Sequence, residues 1–387
     1  MPSALVVDSS TGPALAVARS LARRGWRVLV PAGTRAAASR FAAAAVAVPA
    51  AEVDPPGFVR SLGAVLESEP VDVVVPALDA SLELLWANEE ILRGAAILGG
   101  DRRSFELATD KARALEAADA AGFGTPEWIL PATTGEAEAA LDRIGLPCVV
   151  KPRRSWAAVG GRLVHRRHVF VRRREELEPA LRLQAMPDGS LPIVQAFVPG
   201  RSLLVSFVVR SGRVLARVAW ETLSFDPIIG GTSVWKRTVR LDDDGVQDAL
   251  AFVRGLGYEG FGTIEYQVPA DGRARLMEIG ARVHASLSLD VAAGVDVPWI
   301  AVRALRGEEL PDAPPYRVGV EMRWLPGEIG RVRRVLRRQL DLPPGVSRWD
   351  VLSRAWPPWR LGMHYDGVLR DDLRPWLPAR LRNRNAR

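Results

Sequence analysis

The most informative segment of the sequence, residues 263–282, reads TIEYQVPADGRARLMEIGAR. Its centre, Asp271-Gly272, lies between two strand-like runs, and this arrangement predicts an antiparallel β-hairpin. A two-residue turn at Asp271-Gly272 would place Glu265 directly opposite Glu278. A four-residue loop at 269–272 would place the two glutamates diagonally. Because side chains alternate along a strand, both registers put the carboxylates on one face, within about 5–8 Å of each other.

Two carboxylates this close on one face repel each other unless something neutralises them. One could hold a proton, as in a general acid and base pair, or a nearby arginine could pair with them. A divalent cation could also be shared between them, because Mg²⁺ favours carboxylates together with phosphate oxygens. Arg282 continues the face of Glu278 and suits a phosphate-bearing ligand. The alternative without a ligand is a pair of solvated glutamates on an edge hairpin.

Lysine is rare in this chain, and each occurrence has a distinctive context. Of 52 lysines and arginines only Lys111, Lys151 and Lys236 are lysines. Their contexts are TDK, VVKP and GGTSVWKR, respectively. A compact ammonium and a planar guanidinium make different contacts, so a retained lysine can mark a contact that arginine cannot make. Chance survival is the alternative for each of the three.

The composition is that of a globular protein with room for two or three domains. The chain has 387 residues, of which 48% are hydrophobic and 25% are charged. Cys148 is the single cysteine, so an intrachain disulfide is excluded, which fits a reducing cytoplasm. No apolar run reaches the length of a membrane span, and the first residues lack a signal-peptide pattern. We therefore expect a cytoplasmic protein without a transmembrane segment.

The net charge of +7 is concentrated in the last part of the chain. Residues 311–387 hold 16 arginines against 8 acidic residues, so the rest is nearly neutral and no nucleic-acid partner is expected. The same region is rich in proline and tryptophan. We expect its tryptophans to pack on the body and its arginines to stay in water, and the alternative is a membrane-surface or nucleic-acid contact. These tryptophans are Trp324, Trp349, Trp356, Trp359 and Trp376.

The first hundred residues alternate between strand and helix patterns. Strands are predicted at 4–7, 27–31 and 71–76, and helices at 14–24 and 81–92. This order is typical of a doubly wound parallel sheet. The glycine-rich dinucleotide fingerprint is missing after the first strand, which argues against a nicotinamide dehydrogenase.

From about residue 102 the pattern changes to a mixture of helices and hairpin-connected strands. Residues 155–162 are predicted to form a glycine-containing loop. Helices are predicted at 110–121, 136–143, 175–183, 244–256 and 296–305, and strands at 147–151, 192–198, 203–209, 213–220, 262–268 and 273–279.

Residues from about 104 to 305 resemble the ATP-grasp superfamily, and the first hundred residues resemble the α/β domain that usually precedes it. The resemblance rests on pieces that stand in the family's order. These are DK (110–111), VVKP (149–152), the loop at 155–162, IVQAFVPG (193–200), GGTSVWKR (230–237) and the two hairpin glutamates.

The fold implied by the resemblance is α/β, with α+β character in a two-lobed ATP-grasp module. An N-terminal domain with a doubly wound parallel sheet would occupy residues 1–103. A small lobe would follow at 104–190, and a large lobe with the metal site at 191–310. Residues 311–387 would form a basic extension.

The resemblance also implies a role for each matching residue. Glu265 and Glu278 would hold Mg²⁺, for which Mn²⁺ could substitute, and Arg282 would steady the transferred phosphoryl group. Lys236 and Arg237 would grip the acceptor or its carboxylate. ATP would be bound by Lys111, Val149, Lys151, Gln195, Phe197, Val198 and Leu276, with the two lysines on the phosphates.

The chain departs from the family pattern at three places. Gly280 stands where an asparagine usually completes the metal shell, and Gln195-Ala196 replaces a more acidic hinge. Ser202 lies near the usual position of a ribose-binding glutamate. These departures concern the number of bound metals, the affinity for nucleotide and the rate of turnover.

The function implied is an ATP-dependent, ADP-forming ligase that activates a carboxylate as an acylphosphate and joins it to an amine. The alternative is a nucleotide-binding protein of this fold with little catalytic activity. The partners would be a small carboxylate and a small amine. The sequence identifies neither of them, nor the oligomeric state.

Overall fold

The computed structural model describes residues 1–8, 10–228, 230–243, 245–338, 342, 346–355, 360 and 362–377. Two of the tryptophans named above, Trp356 and Trp359, lie outside these residues. So does residue 244, the first of a helix expected at 244–256. Within the described part, no helix combines the length and apolar character that crossing a bilayer requires.

A parallel five-stranded sheet forms the first layer. Its strand order is β3-β2-β1-β4-β5. Successive strands are therefore added on one side of β1 up to β3 and on its other side from β4 onwards. The doubly wound arrangement predicted from the sequence is confirmed. The strands are β1 (Ser3–Val6), β2 (Arg27–Pro31), β3 (Ala44–Val46), β4 (Val73–Val75) and β5 (Ala96–Ile97), and the helices between them are α1 (Gly12–Ala22), α2 (Pro55–Ser68) and α3 (Asp79–Ala87).

Local signals explain where α1 begins and ends. The Thr11 hydroxyl accepts a hydrogen bond from the Ala14 backbone N–H at 3.4 Å, and Pro13 occupies the first turn. Gly25 follows the helix with a φ of 80°, a conformation that glycine adopts at little cost. The helix expected at 81–92 is divided in the structure into α3 and a short 3-10 segment, Glu89–Leu92.

A second, antiparallel sheet of order β10-β7-β11-β6 carries the segment with Lys151. The loop expected at 155–162 is instead largely a β-hairpin, β8 and β9, with its turn at Gly160-Gly161. The elements are α4 (Arg102–Thr109), α5 (Lys111–Ala121), β6 (Trp128–Ile129), α6 (Thr134–Ile144), β7 (Cys148–Lys151), β8 (Trp156–Val159), β9 (Arg162–His165), β10 (Val169–Val171), α7 (Leu177–Gln184) and β11 (Ile193–Ala196).

The third sheet has the order β16-β15-β12-β13-β14-β17-β18 and holds the glutamate hairpin at one edge. The segment 230–237 contributes most of strand β14 to this sheet. The elements are β12 (Arg201–Arg210), β13 (Arg213–Asp226), β14 (Thr232–Thr238), α8 (Val246–Gly255), β15 (Gly260–Val268), β16 (Arg275–Gly280), α9 (Leu287–Ala293), α10 (Val297–Leu305), β17 (Glu321–Arg323), α11 (Leu325–Leu336), α12 (Arg348–Ala355) and β18 (His364–Tyr365).

The end of the first sheet packs directly on the glutamate hairpin. The Gly100 N–H donates to the Ala281 carbonyl at 2.7 Å, and the Phe261 N–H donates to the Gly99 carbonyl at 2.9 Å. Gly260 has a φ of 97°, and a β-carbon there would lie 2.2 Å from the Gly99 carbonyl oxygen. Glycine is therefore required at this contact, which fixes the first sheet beside the two glutamates.

The C-terminal region is integrated into the body rather than laid over it. β17 and β18 extend the third sheet, and Asp372 forms a buried ion pair with Arg19 at 2.8 Å. The expectation that the arginines stay in water is wrong for Arg323 and Arg331, which are 0% and 3% exposed. The expectation of packing is wrong for Trp349, which is 79% exposed. Arg323 is buried because its guanidinium stacks on a tryptophan ring and donates to carbonyls at the end of α12.

Candidate functional site

Glu265 and Glu278 are directly paired across β15 and β16. The register is the one expected for a two-residue turn, although the strands end at Val268 and resume at Arg275. A β-bulge reconciles the two facts, because the pairing shifts by one residue between Glu265 and Tyr266, and Met277 has no partner in the ladder. The two carboxylates therefore share one face of the sheet, as predicted.

The environment of Glu265 disfavours its negative charge. Burial and the neighbouring Glu278 carboxylate raise the pKa of Glu265 to about 7. Lys151 and a hydrogen bond donated by the Ser202 hydroxyl at 3.3 Å oppose this increase in pKa only in part. A bound cation between the carboxylates would remove the repulsion that raises the pKa.

Lys151 lies at the end of β7 and faces this carboxylate pair. Its ammonium approaches the carbonyl oxygen of Met277, the bulged residue, at 3.5 Å. Burial lowers the pKa of Lys151 to about 8, although Glu278 and Glu265 both act to raise it, and the charge of Lys111 acts to lower it further. A half-buried ammonium held between acidic groups and a second lysine suits an anionic ligand such as phosphate.

Lys111 is placed by the start of helix α5. Asp110 caps that helix by accepting from the N–H groups of Ala112 and Arg113 at 3.2 and 3.4 Å, and it forms an ion pair with Arg153 at 2.8 Å. The Lys111 ammonium then donates to the Ser155 hydroxyl at 2.7 Å. A small cleft joins Lys111 and Ser155 to Glu278.

The hairpin β8–β9 closes over this cleft. Its backbone is attached to the first sheet's domain, because the Leu163 N–H donates to the Glu52 carbonyl at 3.0 Å. At its base, Arg154 pairs with Glu83 of α3 at 3.4 Å. Ser155, just before the hairpin, and Trp156 of β8 both line the cleft that contains Lys111.

Arg282 lies two residues after β16 and pairs with a residue that lines the cleft. Its Nε lies 3.0 Å from Asp79, the first residue of α3, and its Nη1 donates to the Val283 carbonyl at 3.0 Å. Asp79 and Glu278 both line the cleft that contains Lys111. Asp79 is a site residue that the sequence analysis missed. An acidic residue at the start of a helix does not indicate by itself an ion pair with an arginine about two hundred residues away in sequence.

Most of the other residues expected to bind ATP lie on or next to the paired strands β7 and β11. Val149 of β7 pairs with Gln195 of β11, and the Gln195 amide lies 3.9 Å from the sulfur of Met277. Just beyond β11, the Phe197 N–H donates to the Pro147 carbonyl at 3.3 Å, and Val198 follows it, half-buried. Leu276, fully buried, is fixed by a hydrogen bond from its N–H to the Gly124 carbonyl at 2.7 Å.

Lys236 and Arg237 point in different directions, because successive residues of a strand face opposite sides of the sheet. Lys236 is 1% exposed and donates to the Ser286 hydroxyl at 2.9 Å. Arg237 is half-exposed and pairs with Glu221. The expectation that both grip the acceptor stays a prediction, and the buried Lys236 is the one connected to the loop that carries Arg282.

His284 lies on that loop, stacked between the rings of Trp220 and Phe261. Its Nδ1 accepts from the Ser286 N–H at 3.1 Å, and its Nε2 lies 3.0 Å from Asp290. Because Nδ1 is an acceptor, the proton of the neutral ring resides on Nε2 and is donated to Asp290. Both nitrogens are thereby engaged, so His284 positions Ser286 and is not free to act as a base.

The side chains present fit one Mg²⁺ ion held together with phosphate oxygens. Half-buried Glu265 faces exposed Glu278, and Mg²⁺ takes one or two carboxylates plus substrate oxygens. Among the described residues, no cluster of three or more histidine, cysteine or acidic side chains forms an all-protein cage. Gly280 adds no ligand, and a β-carbon there would lie 2.6 Å from the Thr263 hydroxyl oxygen, so Thr263 already fills that space.

Gln267 is a second residue that the sequence analysis missed. It is two residues beyond Glu265 on β15, and it pairs with Ser202 of β12, so the three side chains share a face. Its amide oxygen is buried and accepts no hydrogen bond from the described residues. A free acceptor beside Ser202 suits a ligand hydroxyl, and the period-two spacing from Glu265 was the available signal.

Comparison with known proteins identifies similar sequences and similar folds. Residues 193–328 match the family described as "ATP-grasp in the biosynthetic pathway with Ter operon". The carbamoyl phosphate synthase large chain of Pseudomonas syringae pv. tomato is 24% identical over 269 residues, which cover 65% of this chain and 24% of that protein. The chain thus spans about a quarter of the length of the curated relatives it matches.

Solved structures share the fold at low sequence identity. A biotin carboxylase complex with β,γ-ATP from Campylobacter jejuni has a TM-score of 0.68 at 17% identity, covering 82% of this chain and 74% of that chain. The biotin carboxylase domain of 2-oxoglutarate carboxylase from Hydrogenobacter thermophilus, in complex with MgADP, ADP and bicarbonate, has a TM-score of 0.65 at 18% identity. It covers 82% of this chain and 73% of that chain. These structures share the fold of this chain, and its residues 193–328 match an ATP-grasp family.

Proposed function

We propose that this protein is an ATP-dependent, ADP-forming ligase that activates a carboxylate by phosphorylation and joins it to an amine. The observation that carries the proposal is the direct pairing of Glu265 with Glu278 beside Lys151. Lys111 and Arg282 border the same region, so positive charge surrounds a site that can hold a divalent cation. This is the charge distribution that phosphoryl transfer needs.

The chemistry follows from the weak reactivity of a carboxylate towards amines. Moving the γ-phosphoryl group of ATP onto the carboxylate gives an acylphosphate with a good leaving group. The chain's own contribution is positional: Lys151 and Lys111 would hold phosphate oxygens, and Arg282, fixed by Asp79, would stabilise the charge of the transferred group. Mg²⁺ held by Glu265 and Glu278 would neutralise phosphate charge.

ADP release is the direct test of this function. The full-length protein would be incubated with ATP, MgCl₂ and pooled small carboxylates and amines, and the products of active pools would be identified by mass spectrometry. We expect ADP release that requires a carboxylate. The Glu278→Gln variant should lose at least about a hundredfold in turnover, since a neutral amide oxygen holds the cation much more weakly than a carboxylate.

The matched control is Glu138→Gln, which changes an exposed glutamate on α6. It should turn over like the wild type. Equal turnover in the Glu278 variant and the wild type would contradict the site. A second candidate function, nucleotide binding with little turnover, is favoured by the missing ligand at Gly280. Tight ATP binding without ADP release in any pool would support that alternative.

A further inference from the structure

One buried carboxylate near the site has an oxygen that nothing in the described chain satisfies. Asp366 follows β18 and is 8% exposed, and its backbone N–H donates to the Arg323 carbonyl at 2.8 Å. Its Oδ2 lies 3.9 Å from the ammonium of Lys236, which is longer than a hydrogen bond. Its Oδ1 is buried and has no hydrogen-bond partner among the described residues. Buried carboxylate oxygens are normally satisfied, so this one calls for a donor that the described residues do not supply.

The position of Asp366 is the crevice where the first sheet reverses. A β-carbon on Gly12, the first residue of α1, would lie 3.7 Å from both carboxylate oxygens. Gly12 follows β1, and the order of the sheet changes direction between β1 and β4. In open parallel sheets, ligands bind outside the carboxyl ends of the strands at such a reversal.

The same crevice faces the site of phosphoryl transfer. Asp8, at the end of β1, accepts from the N–H groups of Ala77 and Leu78 at 2.9 and 3.0 Å, which joins the ends of β1 and β4. Asp8 is one of the acidic groups that act on the guanidinium of Arg282. Asp79, two residues after Ala77, forms the ion pair with Arg282. The segment after β1 therefore contacts Asp366 through Gly12 and lies near Arg282 through Asp8.

The surroundings of Asp366 leave one of its carboxylate oxygens able to bind a cationic ligand. Lys236 directs its ammonium to the Ser286 hydroxyl, and Ser286 is held by His284 and, through it, by Asp290. Lys236 therefore makes its hydrogen bond to Ser286 and forms only a long ion pair with Asp366, at 3.9 Å. Oδ1 accepts no hydrogen bond from the described residues and can accept one from a ligand N–H. An ammonium donates to carboxylates and carries the complementary charge.

Resting on the proposed ligase function, we propose that Asp366 binds the amino group of the acceptor substrate and accepts its proton. The acceptor is thereby assigned to the class of primary amines that are cationic in solution. The C-terminal region is then part of the substrate site, although Asp366 lies outside the segment that matches the family at 193–328.

The step balances as follows. The ammonium gives one proton to the Asp366 carboxylate, and the freed nitrogen lone pair attacks the acyl carbon of the acylphosphate. The bond from this carbon to the phosphate oxygen breaks, and phosphate leaves with the electron pair. The second nitrogen proton passes to the departing phosphate, which gives an amide and hydrogen phosphate. Asp366 returns its proton to solvent.

The test separates the two halves of the reaction with hydroxylamine, which is uncharged at pH 7.5 and traps acylphosphates without a base. Full-length wild type, Asp366→Asn and the exposed control Asp371→Asn would be given ATP, Mg²⁺ and the carboxylate pools. Hydroxamate formation would be compared with amide formation from methylammonium and from pooled primary amines. We expect Asp366→Asn to form hydroxamate within about threefold of the wild type and to lose amide formation by about a hundredfold. Asp371→Asn should match the wild type in both assays.

A second variant distinguishes the loss of amine binding from misfolding of Asp366→Asn. Gly12→Ala places a methyl group against the same carboxylate oxygens without changing a charge. It should raise the KM for the amine and leave hydroxamate formation unaffected. Equal loss of both products in Asp366→Asn, or unchanged amide formation in it, would overturn the role of Asp366 alone. No hydroxamate from the wild type with any carboxylate would overturn the proposed function and, with it, this inference.

Discussion

Glu265 and Glu278 face each other across two antiparallel strands, and the bulge at Met277 turns a backbone carbonyl towards Lys151 beside them. Half-buried Glu265 and Lys151 thus lie beside exposed Glu278, whose charge acts to raise the pKa of both. Such an arrangement destabilises the ligand-free protein. Binding of a cation and an anion together removes this destabilisation.

Removing the charge of Glu265 should stabilise the metal-free protein at high pH. The pKa of Glu265 is about 7 in the folded state, against an ordinary value of 4.5. Between these values the folded state binds more protons than the unfolded state, so the wild type loses stability as the pH rises from 4.5 to 7. Glu265→Gln lacks this loss. Urea unfolding should show it equal to the wild type near pH 4 and more stable at pH 8 by at most about 3 kcal/mol. A constant difference across this range would refute the prediction.

The affinity for ATP should decrease above pH 8 because Lys151 loses its proton. The pKa of Lys151 is about 8, so the ammonium that meets a phosphate is present below this pH and is lost above it. Calorimetric titration with a non-hydrolysable ATP analogue should show affinity falling by up to about tenfold for each further pH unit. Lys151→Arg should bind more weakly at pH 7, because a guanidinium has a different shape, and should lack the decrease. Wild-type affinity in this variant would count against the contact.

Gly280 and Thr263 should behave as a coupled pair. A side chain at 280 would start 2.6 Å from the Thr263 hydroxyl oxygen. Gly280→Asn should therefore cost about 1–3 kcal/mol of unfolding free energy. Combining it with Thr263→Ala should recover most of this loss, and the double-mutant cycle measures the coupling. Additive effects of the two substitutions would show that the space is not shared.

The C-terminal region should contribute strongly to stability through one ion pair. Asp372 and Arg19 are both almost fully buried, and the Ser39 hydroxyl also donates to Asp372 at 2.6 Å. Asp372→Ala leaves a buried guanidinium without its partner and should cost about 3–5 kcal/mol in urea unfolding. The neighbouring Asp371 pairs with Arg23 at the surface, and Asp371→Ala should cost less than about 1 kcal/mol. Similar losses of unfolding free energy in the two variants would contradict the stronger contribution predicted for the buried ion pair.

Much of the fold was predictable because local patterns were strong. The apolar run before Lys151 predicted β7, and Asp-Gly between alternating runs predicted the hairpin. The face shared by Glu265 and Glu278 was predictable without the register, since a slip of two residues keeps side chains on the same side. The exact pairing depended on the bulge at Met277, which no local pattern indicated.

Other features were missed for identifiable reasons. Helix α2 begins with two prolines and contains glycine, so its local propensity is low, yet Asp54 caps it and Phe58, Leu62 and Leu66 form a buried stripe at a spacing of four. The environment of Lys236 depends on Asp366, 130 residues away, and contacts this distant are set by tertiary packing. The cleft residue Asp79 was missed for the same reason.

The most direct measurement of the central claim is ATP-dependent binding of Mn²⁺, used as a paramagnetic substitute for Mg²⁺ and followed by electron paramagnetic resonance. Wild type and Glu138→Gln should bind Mn²⁺ more tightly in the presence of a non-hydrolysable ATP analogue. Glu278→Gln should lose at least about tenfold in Mn²⁺ affinity while keeping its fold. Equal Mn²⁺ binding by Glu278→Gln and the wild type would contradict a cation shared between Glu265 and Glu278.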